Sequence, residues 1–129
     1  MALKISLKPN ERIIIGGAVV TNGGNRCDLS FENKVPLLRE KDIMRESDAG
    51  TPACQIYFVI QLMYIDEDNL AVHHQAYWKL VKTFLDAVPS SLPLIDQISD
   101  SILKGQYYAG LKTAAKLIEY EEEVIARVS

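Results

Sequence analysis

Apolar and polar residues alternate at the start of the chain: Leu3, Ile5 and Leu7 are interleaved with Lys4, Ser6 and Lys8. That period of two predicts a half-buried strand. Pro9-Asn10 marks a turn. The β-branched run Arg12 to Ile15 predicts a second strand, stopped at Gly16-Gly17, a pair free to adopt positive φ and so to turn or bulge the chain. Ala18 to Thr21 reads as a third strand. The Asn-Gly pair in Asn22-Gly23-Gly24-Asn25 predicts a tight hairpin turn after it. Cys27, Leu29 and Phe31 alternate with Asp28, Ser30 and Glu32 in a fourth strand, and Val35 to Leu38 forms a short fifth beyond Asn33-Lys34. About five short strands joined by tight turns predict a small antiparallel sheet or barrel.

From about residue 50 the spacing of apolar positions becomes helical. Thr51-Pro52 supplies an N-cap and a proline at the first helical position. The helix through Ile65 places Ile56, Val59, Ile60 and Met63 on one face. After a break at Asp66 to Asn69, a second helix runs from about Leu70 to Val88 with Tyr77, Leu80, Val81, Phe84 and Leu85 as its stripe. Pro89-Ser90-Ser91-Leu92-Pro93 ends it and caps a third, which carries Leu94, Ile95, Ile98, Ile102 and Leu103 and stops at Gly105. The last helix, Tyr107 to Arg127, shows Tyr108, Leu111, Ala115, Ile118 and Ile125 at helical spacing. The fold class is therefore α+β. A β module over residues 1–45 precedes a bundle of about four helices over residues 50–129, as two parts or one continuous fold.

Composition narrows the function. Hydrophobic content of 48% and mean hydropathy of +0.01 describe an ordinary globular protein. The longest apolar stretch, Ile56 to Ile65, is interrupted by Gln61 and followed by Asp66, Glu67 and Asp68, so no segment is expected to span a bilayer. The lysine-punctuated N-terminus lacks a signal-peptide core, and the expected compartment is the cytoplasm. Cys27 and Cys54 have no metal-ligand spacing and read as free, buried or half-buried thiols.

Catalytic signatures are absent: there is no nucleophile elbow, zinc-protease helix or phosphate loop. No cofactor or metal is expected. His73-His74 are adjacent, so they project about 100° apart on a helix and cannot converge on one ion. Glu119, Glu121, Glu122 and Glu123 read as a solvated face of the last helix. Tyr57, Tyr64, Tyr77 and Trp78 fit core packing better than base stacking.

The net charge of −3 conceals an asymmetry, because the first 50 residues carry the basic side chains Lys4, Lys8, Arg12, Arg26, Lys34, Arg39, Lys41 and Arg45 against seven acids. An anionic partner would bind there. The densest stretch runs from Val35 to Arg45. It reads either as a strand exit followed by a solvated helical turn, or as a grip on RNA in which Arg39, Lys41 and Arg45 meet phosphates and base edges.

The segments Met1-Ala2-Leu3-Lys4-Ile5-Ser6-Leu7-Lys8-Pro9, Gly17-Ala18-Val19-Val20, Leu38-Arg39-Glu40-Lys41-Asp42-Ile43-Met44 and Thr51-Pro52-Ala53 resemble the FlbT family. So do Met63-Tyr64-Ile65-Asp66 and Gly105-Gln106-Tyr107-Tyr108-Ala109-Gly110-Leu111-Lys112, in the expected order along nearly the whole chain. The resemblance implies post-transcriptional control of flagellin: binding to the 5′ untranslated region of flagellin mRNA and promotion of its decay, with FlaF as functional counterpart. One departure is that family members often carry basic residues after Thr-Pro-Ala, where this chain has Cys54 and Gln55. If those charges contact RNA, binding here is weaker or uses another surface.

The β module also resembles the carbon storage regulator CsrA, with a glycine after an early apolar strand and a closing Arg39-Glu40. That likeness implies an RNA site along the first and last strands. The candidate RNA-binding residues are thus Lys4, Lys8, Arg39, Lys41 and Arg45. The alternative is a protein adaptor or chaperone-like partner of flagellin, FlaF or an export component that acts on mRNA indirectly. Either way a homo-oligomer is expected, since a small, edge-rich β module needs covering.

Overall fold

Period-two alternation does produce strands at the start of the chain. The computed structural model describes residues 3–128, in two compact units, Met1–Ile43 and Met44–Ser129. In the first, β1 (Leu3–Leu7) pairs antiparallel with β4 (Cys27–Phe31), setting Ile5 against Leu29 and Leu7 against Cys27. A second sheet has the order β3-β2-β5, from β2 (Arg12–Ile15), β3 (Ala18–Thr21) and β5 (Leu37–Arg39). Ile5, Leu7 and Ile13 form the buried centre, and Ile15, Cys27, Leu29, Phe31 and Leu37 close around it.

One of the expected turns forms as a hairpin and another does not. The hairpin turn is Gly16-Gly17, with φ of 56° and 91°, the positive pair of a two-residue type I′ turn between Ile15 and Ala18. Asn22-Gly23 is not a hairpin turn, because β3 and β4 lie in different sheets. The Asn22 carboxamide instead donates to the carbonyls of Leu7 at 3.3 Å, Lys8 at 3.1 Å and Asn25 at 3.0 Å, and accepts from the Gly24 N–H at 3.2 Å. A side chain that mimics backbone hydrogen bonding redirects the chain from one sheet to the other. The fifth strand also begins at Leu37, not Val35: Pro36 has no N–H for a ladder, and its carbonyl is taken by the Gly16 N–H at 2.8 Å.

The second unit holds α1 (Pro52–Ile65), α2 (Leu70–Ala87), α3 (Leu92–Leu103) and α4 (Tyr107–Val128). Thr51 caps α1, its hydroxyl accepting the Cys54 N–H at 3.2 Å. Gly105, at φ 73°, ends α3 with the Gly105 N–H to Ile102 O at 3.0 Å and the Gln106 N–H to Ser101 O at 2.8 Å, a Schellman motif. Ser91 does not cap α3; its hydroxyl donates back to Val88 O at 2.7 Å. The expected stripes of α1, α2 and α3 are largely buried, although Leu103 is exposed.

The stripe of α4 is displaced from the expected one. Gly110, Leu111, Thr113, Ala114, Leu117 and Glu121 are the buried positions, while Tyr108 and Ile125 are exposed. Small residues bring this helix close to its neighbours: a Cβ on Gly110 would lie 3.6 Å from Ile60 Cγ2 and 3.8 Å from Ile102 Cγ1. No helix among the described residues is long and apolar enough to cross a membrane.

Tyr77, fully buried on α2, bonds its hydroxyl to Ser99 Oγ at 2.8 Å. Burial pushes its ionisation up to about 12, against a smaller downward pull from Ser99. The raised value means that the stabilisation is complete below the ordinary phenol value of about 10 and is lost as pH rises through about 12. A phenolate absorbance titration should therefore show one tyrosine ionising near 12 together with alkaline unfolding. In Tyr77→Phe that step should vanish. Retention of the step would show that another residue carries it.

Candidate functional site

The basic residues of the first unit are organised by one turn. Pro9 fixes its own φ, and Asn10 adopts φ 66°, a left-handed conformation that asparagine tolerates. The Glu11 N–H closes the turn on Lys8 O at 3.1 Å. Glu11 then folds back, its Oε1 accepting the Lys8 N–H at 2.9 Å.

Arg39, at the end of β5, reaches the same place. Its Nη2 donates to Ser6 O at 2.8 Å and to Glu11 Oε2 at 3.3 Å. The Lys8 N–H has the largest influence and, with the Arg39 guanidinium, holds the Glu11 carboxyl below its usual range. Desolvation pushes the other way, more strongly than the Arg39 hydrogen bond alone pulls it down. Glu11 therefore stays ionised through neutral pH. Its contribution is present above the ordinary carboxylate value and lost only as pH falls through the lowered one.

Around this pair lies an open cavity of about 510 Å³, formed by the turn Lys8, Pro9, Asn10 and Glu11 and by the strand exit Arg39, Glu40 and Lys41. The structure thus brings three of the five expected residues, Lys8, Arg39 and Lys41, to one place. Lys4 is exposed on β1 opposite Ser30 and does not line the cavity. Arg45 belongs to the second unit, exposed before the short turn Glu46–Asp48.

Arg39 is partly committed to structure, with 39% of its side chain exposed. Lys8 and Lys41 are exposed, and among the described residues no ion pair or side-chain hydrogen bond holds either ammonium group. Composition reasoning missed the two carboxylates in the same cavity, Glu11 and Glu40; it counted Arg26 among the basic residues, but not the bond that its Nε donates to Ser6 Oγ at 3.1 Å. Ser6 thus receives Arg26 on its hydroxyl and Arg39 on its carbonyl. Only the pairing of β1 with β4 brings Arg26 there, and no local spacing announces it.

The remaining candidates resolve as packing groups. His73 pairs with Asp66 at 2.9 Å, while His74 meets the Tyr107 hydroxyl at 3.2 Å, so the two rings diverge. The His73 hydrogen bond, followed by that of Asn69, lowers the Asp66 ionisation. Cys27 and Cys54 are free and half-buried. Among the described residues no group of three or more His, Cys, Asp or Glu side chains is placed to hold a metal ion. Glu121, expected on a solvated face, is buried; its Oε2 accepts the Ala53 N–H at 2.9 Å, because the N-terminus of α1 presents a donor there.

Residues 3–125 match the family model described as flagellar protein FlbT. A probable flagellum biosynthesis repressor protein FlbT of Bradyrhizobium diazoefficiens is 48% identical over 96% of this chain and 85% of its own length. The flagellum biosynthesis repressor protein FlbT of Caulobacter vibrioides is 40% identical over the whole of this chain and 93% of its own length. A probable repressor of the same name from Caulobacter sp. is 40% identical over the full length of both. No solved structure matches.

Proposed function

This chain belongs to the FlbT family of flagellar proteins, and on that premise we propose that it controls flagellin synthesis after transcription, by binding the 5′ untranslated region of flagellin mRNA and promoting its decay. The names of its relatives, flagellum biosynthesis repressors, support a regulatory role. The observation that carries the RNA reading is the gathering of Lys8, Arg39 and Lys41 around one open cavity. An ammonium group is a compact point charge suited to a phosphate oxygen. In this reading Lys8 and Lys41 contact phosphates, and Arg39, tied to Ser6 and Glu11, holds the turn that presents them. Lys4 and Arg45 supply further cations. The protein acts by binding, without catalysis or a cofactor, in the cytoplasm and as a homo-oligomer.

Fluorescence anisotropy with a flagellin leader RNA across a salt series tests this. Affinity should fall linearly with salt on logarithmic axes, and Lys8→Ala and Lys41→Ala should each reduce the slope by about 1. Arg39→Ala should also cost about 1–2 kcal/mol of stability, because the hydrogen bond from a charged donor to Ser6 O is lost. Absence of leader binding at low salt would sink the RNA reading.

A groove in the second unit favours the adaptor reading. About 400 Å³ in volume, it is lined by Phe58, Val59, Leu62 and Leu80 with Glu46 at its border. Capture of flagellin or FlaF that is lost in Leu62→Asp, with no leader binding, would establish the adaptor instead.

A further inference from the structure

β3 forms one border of its sheet, and all four of its residues are exposed, Val19 at 65% and Val20 at 37%. The ladder to β2 sets Ile15 opposite Ala18, Ile14 opposite Val19 and Ile13 opposite Val20. A two-residue turn makes the Ile15–Ala18 pair hydrogen-bonded, and alternation makes Ile13–Val20 the next such pair. The Asn22 N–H to Glu11 O bond at 2.9 Å continues that series. The N–H and C=O groups of Val19 and Thr21 therefore point away from β2, where no strand among the described residues meets them.

Sheet edges are ordinarily blunted by a charge, a proline or a bulge. The other borders follow that rule: β1 carries Lys4, β4 carries Asp28, and β5 carries Arg39 just beyond Pro36. β3 reads Ala-Val-Val-Thr, uncharged, β-branched and without proline. Charge also selects the occupant. Two identical strands paired antiparallel about a twofold axis set the residue on the axis opposite its own copy and the residues beside it diagonal to theirs. On β1, β4 or β5 a mid-strand axis would leave Lys4, Asp28 or Arg39 diagonal to its like-charged copy, still within reach of a long side chain and unfavourable. β3 meets its own copy without repulsion.

We propose that two copies of this chain join along β3, antiparallel about a twofold axis, with Val20 facing the partner's Val20 and Val19 hydrogen-bonded to the partner's Thr21. This register engages both outward-facing residues of each strand. It places the two Val20 residues in a non-hydrogen-bonded pair, where Cα atoms approach to about 4.5 Å. The proposal rests on the homo-oligomer reading above and names its surface.

Light scattering and sedimentation of the full chain test it. The wild type should run at twice the chain mass. Val20→Lys and Thr21→Pro should each weaken the dimer about tenfold or more, through opposed charges and a lost edge donor respectively. Circular dichroism should stay unchanged. Because proline could unfold the sheet, Val20→Cys gives an independent readout: mild oxidation should link it into a covalent dimer, since a Cα separation of about 4.5 Å suits a disulfide, while the wild type stays unlinked.

A wild type that is only monomeric overturns both the homo-oligomer reading and this surface, including the case in which β3 pairs with a strand of another protein. A dimeric wild type whose mass is unmoved by Val20→Lys, or whose Val20→Cys variant does not cross-link, overturns the β3 assignment alone.

Discussion

Glu121→Ala is expected to lower the unfolding free energy by about 3 kcal/mol, read as a shifted urea midpoint at unchanged slope. The size follows from how the N-terminus of α1 is satisfied. Pro52 has no N–H to offer, the Cys54 N–H goes to Thr51 Oγ1, and the Gln55 N–H goes to Thr51 O. The Ala53 N–H remains, and Glu121 Oε2 accepts it at 2.9 Å from α4. Ala53 has no exposed surface, so in the variant its N–H cannot turn to bulk water. An orphaned buried donor costs about 1–3 kcal/mol. A carboxylate lost from a partly buried helix N-terminus adds up to about 2 kcal/mol. Glu121→Gln keeps an acceptor and loses only the charge, so its cost should stay near 1 kcal/mol. Equal losses in the two variants would show that the hydrogen bond contributes little. A loss below about 1 kcal/mol in the alanine variant would remove Glu121 from the architecture of α1.

That residue also shows where pattern reading stops. The strands of the first unit and the three earlier helices are legible because large apolar side chains report their own burial: Ile5 and Leu7 in β1, Ile56 and Ile60 in α1, Ile95 and Ile98 in α3. On α4 the core face mixes Leu111, as expected, and Leu117 with Gly110, Thr113, Ala114 and Glu121. A stripe sought among large apolar residues therefore catches Leu111 but otherwise drifts onto the exposed Tyr108 and Ile125. Small residues report close approach between helices, which is a property of the neighbour as much as of the residue. Asn22 is a similar case. Asn-Gly is a strong local hairpin signal, yet the Leu7 and Lys8 carbonyls offer its side chain partners far along the sequence.

The candidate site was legible in part for the same reason. Composition located the basic residues, and the turn at Pro9-Asn10 followed from residue preferences. That Arg39 meets Glu11 and Ser6 depends on β2 pairing with β5, which sets Ile13 opposite Arg39. Long-range register turns an apparently free arginine into a brace, and leaves Lys8 and Lys41 as the exposed cations beside it.

Gln61 on α1 makes a connection of comparable consequence. Its Oε1 accepts the Met44 N–H at 2.8 Å, and its Nε2 donates to Met44 O at 2.9 Å, so one buried carboxamide satisfies both backbone groups of the residue that begins the second unit. A leucine fits the apolar surroundings and has nearly the same size, but offers neither bond. Gln61→Leu is expected to cost about 2 kcal/mol, less than two fully orphaned groups would, because Met44 is half-buried and water can reach part of it. The loss should be local before it is global. Hydrogen exchange at the Met44 amide should accelerate well beyond the change in overall stability, while amides in the middle of α3 follow only the global change. Uniform acceleration in both places would mean that Gln61 matters through core volume alone. An unchanged Met44 amide would show that the clamp does not hold in solution. The contrast with Glu121 is physical: one carboxylate satisfies a helix end, whereas here a side-chain amide acts as a short piece of sheet, pairing with a segment that meets no strand among the described residues.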